Sequence, residues 1–284
     1  WRPVGNEKQE GNMGFRNIMV HLDSGARTAE RLRLALDLAR RHDARLVGVF
    51  AQRASAFRVG LVAVWPNDDY IKAANETRAR FEDAVKGYAR AEFLDLNRGG
   101  EQEILHHMTD LARHFDIAIL GQDEDSNQRL VPADLVEQLI VETGRPILVI
   151  PYAGHYADLG HRPLIAWNDS SRAARALNDV IPLLHKDAQA LVVSIGPARE
   201  ITHDKVSANE TATHLACHGV KAEVSAMVSG EVKLMDTLLN RAADHSADLL
   251  ALGAFGHYGF PMLARGSGTR FMLRHMTLPV MFSH

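Results

Sequence analysis

Cysteine is almost missing from this chain: of 284 residues, only Cys217 is one. An internal disulfide is therefore excluded, and the usage suits a reducing cytoplasm, where thiols stay free. No uninterrupted apolar run approaches the ~20 residues that a membrane helix needs, and no signal peptide is visible. A surplus of charge of one sign is missing too. Thirty-two Lys and Arg against 35 Asp and Glu leave a net charge of −3, with no electrostatic footprint for nucleic acid. Catalytic signatures are equally scarce. There is no nucleophile–base pair, no Gly-x-Ser-x-Gly elbow and no His-Glu-x-x-His, so no catalytic residue is assigned. Among 15 histidines, His214 and His218 stand four apart around Cys217, a spacing that can hold zinc. Without a further ligand aimed at the same place, a solvated helix face is the better reading, and no metal ligand is assigned.

What the chain does contain is apolar material for two cores. Forty-six per cent of its residues are apolar and 24% charged, ordinary for a globular protein, and its length suggests two domains of ~150 residues. Residues 1–12 are polar and are set aside as a leader or upstream extension, since Met13 directly precedes a strand pattern. Residues 13–151 then form a first domain. Apolar runs at Asn17–Asp23, Leu46–Phe50, Asp116–Gly121 and Pro146–Pro151 predict strands. Helices are predicted from Thr28 or Ala29 to His42, from Tyr70 to Glu92, at Thr109–His114 and at Leu135–Glu142. A further strand is expected near Glu103–Leu105, and residues 51–70 read as irregular, with a turn at Trp65–Asp69.

The pattern then repeats. Strands are predicted at Pro163–Asn168, Leu191–Ile195, Val224–Val228, Asp248–Leu252 and Pro279–Phe282. Helices fall at Ser171–Leu184, 205–218, Val232–His245 and Arg270–His275. Asp116 matches Asp248 and Pro146 matches Pro279, so the period is that of a duplicated domain rather than a solenoid. Residues 152–161 are the linker and 162–284 the second domain. Strands alternating with helices predict α/β domains, each a doubly wound five-stranded parallel sheet of Rossmann-like type. Ligands of such sheets bind beyond the carboxyl ends of the strands, where strand order reverses.

A glycine-rich stretch lies at that place in the second half. It runs from Leu252 to Thr269, between a strand and a helix, with glycines at Gly253, Gly256, Gly266 and Gly268. Glycines let the backbone approach an anion, and unpaired N–H groups at the helix start point at it. The spacing is neither a Walker loop nor the Gly-x-Gly-x-x-Gly of dinucleotide folds. A plain turn from strand to helix is the competing reading.

Gly253, two residues, Gly256, nine residues, then Gly266-Ser267 resembles the nucleotide loop of the universal stress protein family. Ala166-Trp167-Asn168 followed by Ala173-Ala174-Arg175-Ala176 resembles that family's first strand and helix, and both halves are similar to its domain across residues 14–284. The resemblance implies two tandem domains packed as a pseudo-twofold pair through their last strands. It implies adenine and ribose near Ala166, Trp167, Asn168 and Ser194, with Leu252, Gly253, Phe255 and Gly256 lining the sugar and first phosphates. Gly266, Ser267, Gly268 and Thr269 would hold the phosphate tail. Asn168 stands where the family usually has an acid; it still accepts a hydrogen bond but carries no charge. Asn168 and Asp169 are also suited to capping the following helix, and Trp167 to plain core.

The first half departs further. Asp23 and Gly121 keep the acid and the first glycine, but Glu124 stands for the second glycine and Ala133-Asp134 for Gly-Ser. With Gln122-Asp123-Glu124-Asp125 before it, this loop would set carboxylates against a triphosphate, so nucleotide is expected in the second half alone. The implied function is a cytoplasmic regulatory protein of the stress response that binds ATP or another adenine nucleotide, with or without magnesium. Its partners would be the nucleotide, the other half of the chain, and a second copy or a regulatory protein; neither nucleic acid nor membrane is expected. A slow ATPase and a ligand-free scaffold are the alternatives.

Overall fold

The computed structural model describes residues 14–54, 57–59, 62–123, 129–196, 201–228, 234–256 and 266–284. The leader and residues 124–128 and 257–265, which include Glu124 and the middle of the glycine stretch, lie outside them. The first half runs β1 (Asn17–Leu22), α1 (Thr28–His42), β2 (Arg45–Phe50), β3 (Phe57–Val59), β4 (Val62–Val64), α2 (Asp68–Ala84), β5 (Ala91–Asp95), α3 (Glu101–Ala112), β6 (Ile117–Gly121), α4 (Leu135–Glu142) and β7 (Ile147–Ile150). The second runs β8 (Pro163–Trp167), α5 (Ser171–Val180) with a 3-10 turn at Ile181–Leu183, β9 (Gln189–Gly196), α6 (Ile201–Cys217), β10 (Lys221–Val228), α7 (Leu234–Asp244), β11 (Leu249–Gly253), α8 (Ser267–His275) and β12 (Val280–Ser283).

Ten of the strands form one sheet in the order β10-β9-β8-β11-β12-β7-β6-β1-β2-β5. Read from the middle outward, the two halves have the same order, and every pairing is parallel except the central one. There β12 meets β7 antiparallel, with Val280 opposite Val149, Met281 opposite Leu148 and Phe282 opposite Ile147. The expected joint through the last strands is present, and the pseudo-twofold passes between them.

Apolar residues on both faces explain why the strands are buried on both sides. Successive strand side chains alternate, so Met19, Val47 and Val49 enter one core layer while Ile18, Val20 and Leu22 enter the other. Both layers continue across the seam. Ile147, Val149, Val280 and Phe282 lie in the first, and Leu148, Ile150 and Met281 in the second. A strand edge that would otherwise be open is thereby closed within the chain.

Three sequence expectations are corrected in the first half. The helix expected to reach Glu92 stops at Ala84; Gly87 then turns the chain at φ +83°, a region that glycine enters without penalty. Ala91–Asp95 becomes β5, parallel to β2. The strand expected at Glu103–Leu105 is instead the start of α3, whose buried Ile104, Leu105, Met108 and Ala112 recur at helical spacing. The irregular stretch 51–70 contains the β3–β4 hairpin, with Phe57 opposite Val64, and the start of α2. Asn67 caps that helix by accepting a hydrogen bond from the Tyr70 backbone N–H at 2.9 Å.

Candidate functional site

In the second half strand order reverses between β8 and β11, and the ends of these strands carry the residues the sequence singled out. Ala166 is buried, and Trp167 pairs in register with Ser194 of β9. The Trp167 indole Nε1–H lies 2.8 Å from Ser207 Oγ and 3.1 Å from Asp169 Oδ1, which ties the strand end to α6. Asn168 Oδ1 accepts from Ser170 Oγ at 2.7 Å. Ser170, rather than Asn168 or Asp169, caps α5, accepting from the Ala173 N–H at 3.1 Å. Asn168 therefore braces the cap.

The glycines have distinct tasks. A Cβ at Gly253 would come 2.7 Å from the Arg172 carbonyl carbon and 2.8 Å from the Ala173 nitrogen, so this glycine lets β11 touch the first turn of α5. A Cβ at Gly256 would meet only Arg172 Cδ, at 4.0 Å. Among the described residues nothing there requires a glycine for packing. Gly266 has φ +84° and immediately precedes α8. Its missing side chain makes space for the Phe255 ring, which would lie 2.4 Å from a Cβ there. Phe255, itself left-handed at φ +53°, donates its backbone N–H to Thr269 Oγ1 at 2.8 Å. These contacts clasp the two ends of the glycine stretch. Thr269 is buried and its hydroxyl serves the clasp, while Leu252 is buried in the core and offers the site only its backbone. Ser267 and Gly268 sit in the first turn of α8, partly exposed, where N–H groups lack helical partners.

The first half has the same layout filled differently. The buried positions Thr28, Arg31, Leu32 and Ala35 of α1 match Ala173, Ala176, Leu177 and Val180 of α5. Arg31 therefore stands where the second half has a buried alanine. Its Nη2 lies 2.8 Å from Asp23 Oδ2, its Nε donates to the His21 carbonyl at 3.0 Å, and a Cβ on Gly121 would be 2.4 Å from its Nη1. The guanidinium thus lies against Gly121 at the strand end, where it lines a cavity together with Asp23, Leu130 and Val136. Asp23 accepts further bonds from Thr28 Oγ1 at 2.8 Å and the Gly25 N–H at 2.7 Å. Burial by itself would raise the Asp23 carboxyl; Arg31, then His21, then these hydrogen bonds hold it far below the ordinary carboxylate range. His21 donates Nε2–H to the Ala51 carbonyl at 2.8 Å, and burial keeps its pKa lowered.

The loop residue Gln122 is also turned to another use. Its side-chain amide donates to the Leu273 and Arg274 carbonyls at 2.9 and 3.2 Å, satisfying the C-terminal end of α8 from the other half. Asp134 immediately precedes α4 without capping it. Sequence reading had explained the missing first-half site by loop carboxylates. It overlooked Arg31, although a basic residue beside the apolar stripe Leu32, Ala35, Leu36 and Ala39 was a visible signal. His214 and His218 do meet, edge to face with 4.8 Å between ring centroids, beside an exposed Cys217. No third ligand joins them among the described residues.

No family model matches the chain, and no curated protein does. Solved structures match along its whole length. A universal stress protein from Archaeoglobus fulgidus DSM 4304 is 15% identical, with a TM-score of 0.67 over 94% of this chain and 98% of that one. A functionally unknown protein from Pseudomonas aeruginosa PAO1 is 14% identical, with a TM-score of 0.59 over 95% and 92%. A putative universal stress protein from Pseudomonas aeruginosa UCBPP-PA14 is 14% identical, with a TM-score of 0.57 over 95% and 93%. The chain has the tandem α/β fold of universal stress protein structures.

Proposed function

We propose that this chain is a tandem universal stress protein that binds one adenine nucleotide, ATP foremost, at the switch point of its second half. The reading rests on one contrast. At the first-half strand end the charged Arg31 guanidinium lines the cavity, while the matching position in the second half is the small Ala176, and among the described residues a Cβ at Gly256 would meet only Arg172 Cδ. Backbone N–H groups of the first turn of α8, with the Ser267 hydroxyl, would hold phosphates. Trp167, Asn168 and Ser194 would border the base and ribose. Magnesium bound with the nucleotide would neutralise phosphate charge. The role inferred is binding and regulation in the cytoplasm, with a slow ATPase as the alternative. Occupancy would stabilise the second half by mass action and so alter which protein or second copy the pair engages. Among the described residues no helix is long and apolar enough to cross a membrane.

Thermal melting with and without ATP tests this reading on wild type, Gly256→Glu and Ser267→Ala. ATP should raise the wild-type melting temperature and leave folded Gly256→Glu unmoved. Ser267→Ala should bind roughly ten- to a hundredfold more weakly, since a hydrogen bond to a charged group contributes ~1.5–3 kcal/mol. An undiminished ATP shift in Gly256→Glu would remove the phosphate cradle.

A further inference from the structure

Away from both strand-end sites, the linker brings together three side chains that sequence spacing does not connect. Asp158, His161 and His185 place one ligand atom each within 4.8 Å of one another. The geometry is that of two imidazoles on one carboxylate oxygen. His161 Nε2 lies 3.2 Å and His185 Nε2 3.0 Å from the same Asp158 Oδ2. The rings are stacked, 3.7 Å between centroids and 12° between planes, so one imidazole must rotate for both in-plane lone pairs to meet a single ion.

Two features hold this triangle in place. Asp158 Oδ1 accepts the Leu159 backbone N–H at 2.7 Å, which fixes the carboxylate and leaves Oδ2 for the imidazoles. His161 turns its other nitrogen, Nδ1, towards Asp187 Oδ1 at 4.0 Å, the direction in which a carboxylate orients a metal-bound histidine. The backbone supports the same cluster: the His185 N–H donates to the Gly160 carbonyl at 3.0 Å and the Gln189 N–H to the His161 carbonyl at 2.8 Å.

We propose that Asp158, His161 and His185 form a site for a borderline divalent metal ion of the zinc class. Ligand atoms around such an ion at ~2.0–2.2 Å stand ~3.3 Å apart when tetrahedral, close to the separations found here. Two imidazoles and one carboxylate suit zinc and its transition-metal neighbours rather than magnesium or calcium, which prefer oxygen. Arg41 of α1 is the natural competitor. Its Nη1 contacts His185 Nε2, and its other bonds go to the Leu159 and Leu183 carbonyls at 3.3 and 3.1 Å. Because an arginine only donates, His185 Nε2 meets it with a lone pair, the form that also binds metal. A metal would take over this lone pair while Arg41 keeps the two carbonyls. The ion would lock the linker to the loop after the 3-10 turn, next to α1 of the other half.

The experiment is a zinc titration of the full chain against a chromophoric competitor, with cobalt absorption as a second reading of ligand geometry. Wild type should bind one equivalent. His161→Asn/His185→Asn should lose at least tenfold in affinity, and Asp158→Asn a similar amount. His214→Ala/His218→Ala should bind like wild type, which separates this site from the other histidine pair. Arg41→Met should bind several-fold more tightly, because a competing cation is gone. That gain cannot come from misfolding. Zinc bound equally by wild type and His161→Asn/His185→Asn, or no stoichiometric binding by wild type and Arg41→Met, would overturn the site.

Discussion

The two halves of this molecule share a strand order and differ in what occupies the switch point. In the first, Asp23, Arg31, Thr28 and His21 form a hydrogen-bonded network beside Gly121 that lines a cavity. In the second, the matching places are Asn168, Ala176, Ala173 and Ala166, and the glycine stretch follows. A duplicated fold can thus set a buried ion pair at one copy of a strand end and small neutral residues at the other. The first half also serves the interface, since Gln122 gives its amide to the end of α8.

Breaking the first-half network should have the largest effect. Arg31→Met leaves the buried Asp23 without its cation and should cost about 3–5 kcal/mol in urea unfolding. Arg31→Met/Asp23→Asn should lose distinctly less, because the orphaned charge is gone. Equal losses for the single and double variants would show that the pair matters only as packing. The equivalent change in the second half, Ala176→Arg, has no acid to meet, since Asn168 is neutral. It should combine destabilisation with loss of ATP binding.

The glycines give a smaller contrast. Gly253→Ala presses on the backbone of α5, whereas Gly121→Ala presses on the end of a side chain. Overpacking costs roughly 1–3 kcal/mol; Gly253→Ala should fall at the top of that range and Gly121→Ala at the bottom. Thermal melting of both variants checks the order, and a reversed order would mean that Arg31 is as rigid as backbone.

The smallest effect is in acid. Burial, then the Arg41 charge, holds His42 at the end of α1 down to about 4 from 6.5. A histidine lowered in the folded state takes up its proton first in the unfolded chain, so stability falls as pH drops from about 6.5 towards 4. After allowance for partial exposure, the loss should be about 1–2 kcal/mol. His21 and His185 are shifted the same way and add to it. Asp23, lowered instead, keeps its contribution throughout this window and loses it only in stronger acid. His42→Leu should flatten the decline in melting temperature between pH 7 and pH 5; an unchanged slope would assign the acid sensitivity elsewhere.

Much of this was legible in the sequence, and the failures have a common cause. Where one run of residues decides its own state, as in α4 or the apolar strand Ile147–Ile150, local pattern sufficed. Ala91–Asp95 and Ile104–Leu105 were misassigned because each carries only a few apolar residues, and pairing with β2 or docking on the core decides between helix and strand. The glycine stretch announced itself by spacing. Arg31 left a signal in its helix, but its partner Gly121, the placement of Gln122 on α8 and the convergence of His161 with His185 could not be seen, because each joins residues that only the folded sheet brings together.

The most direct test of the asymmetry is a calorimetric titration of the intact chain with ATP, performed on wild type and on Gly256→Glu. One site per chain in wild type, and none in the folded variant, is the predicted result. Two equivalent sites in wild type, or one that survives Gly256→Glu, would contradict the account.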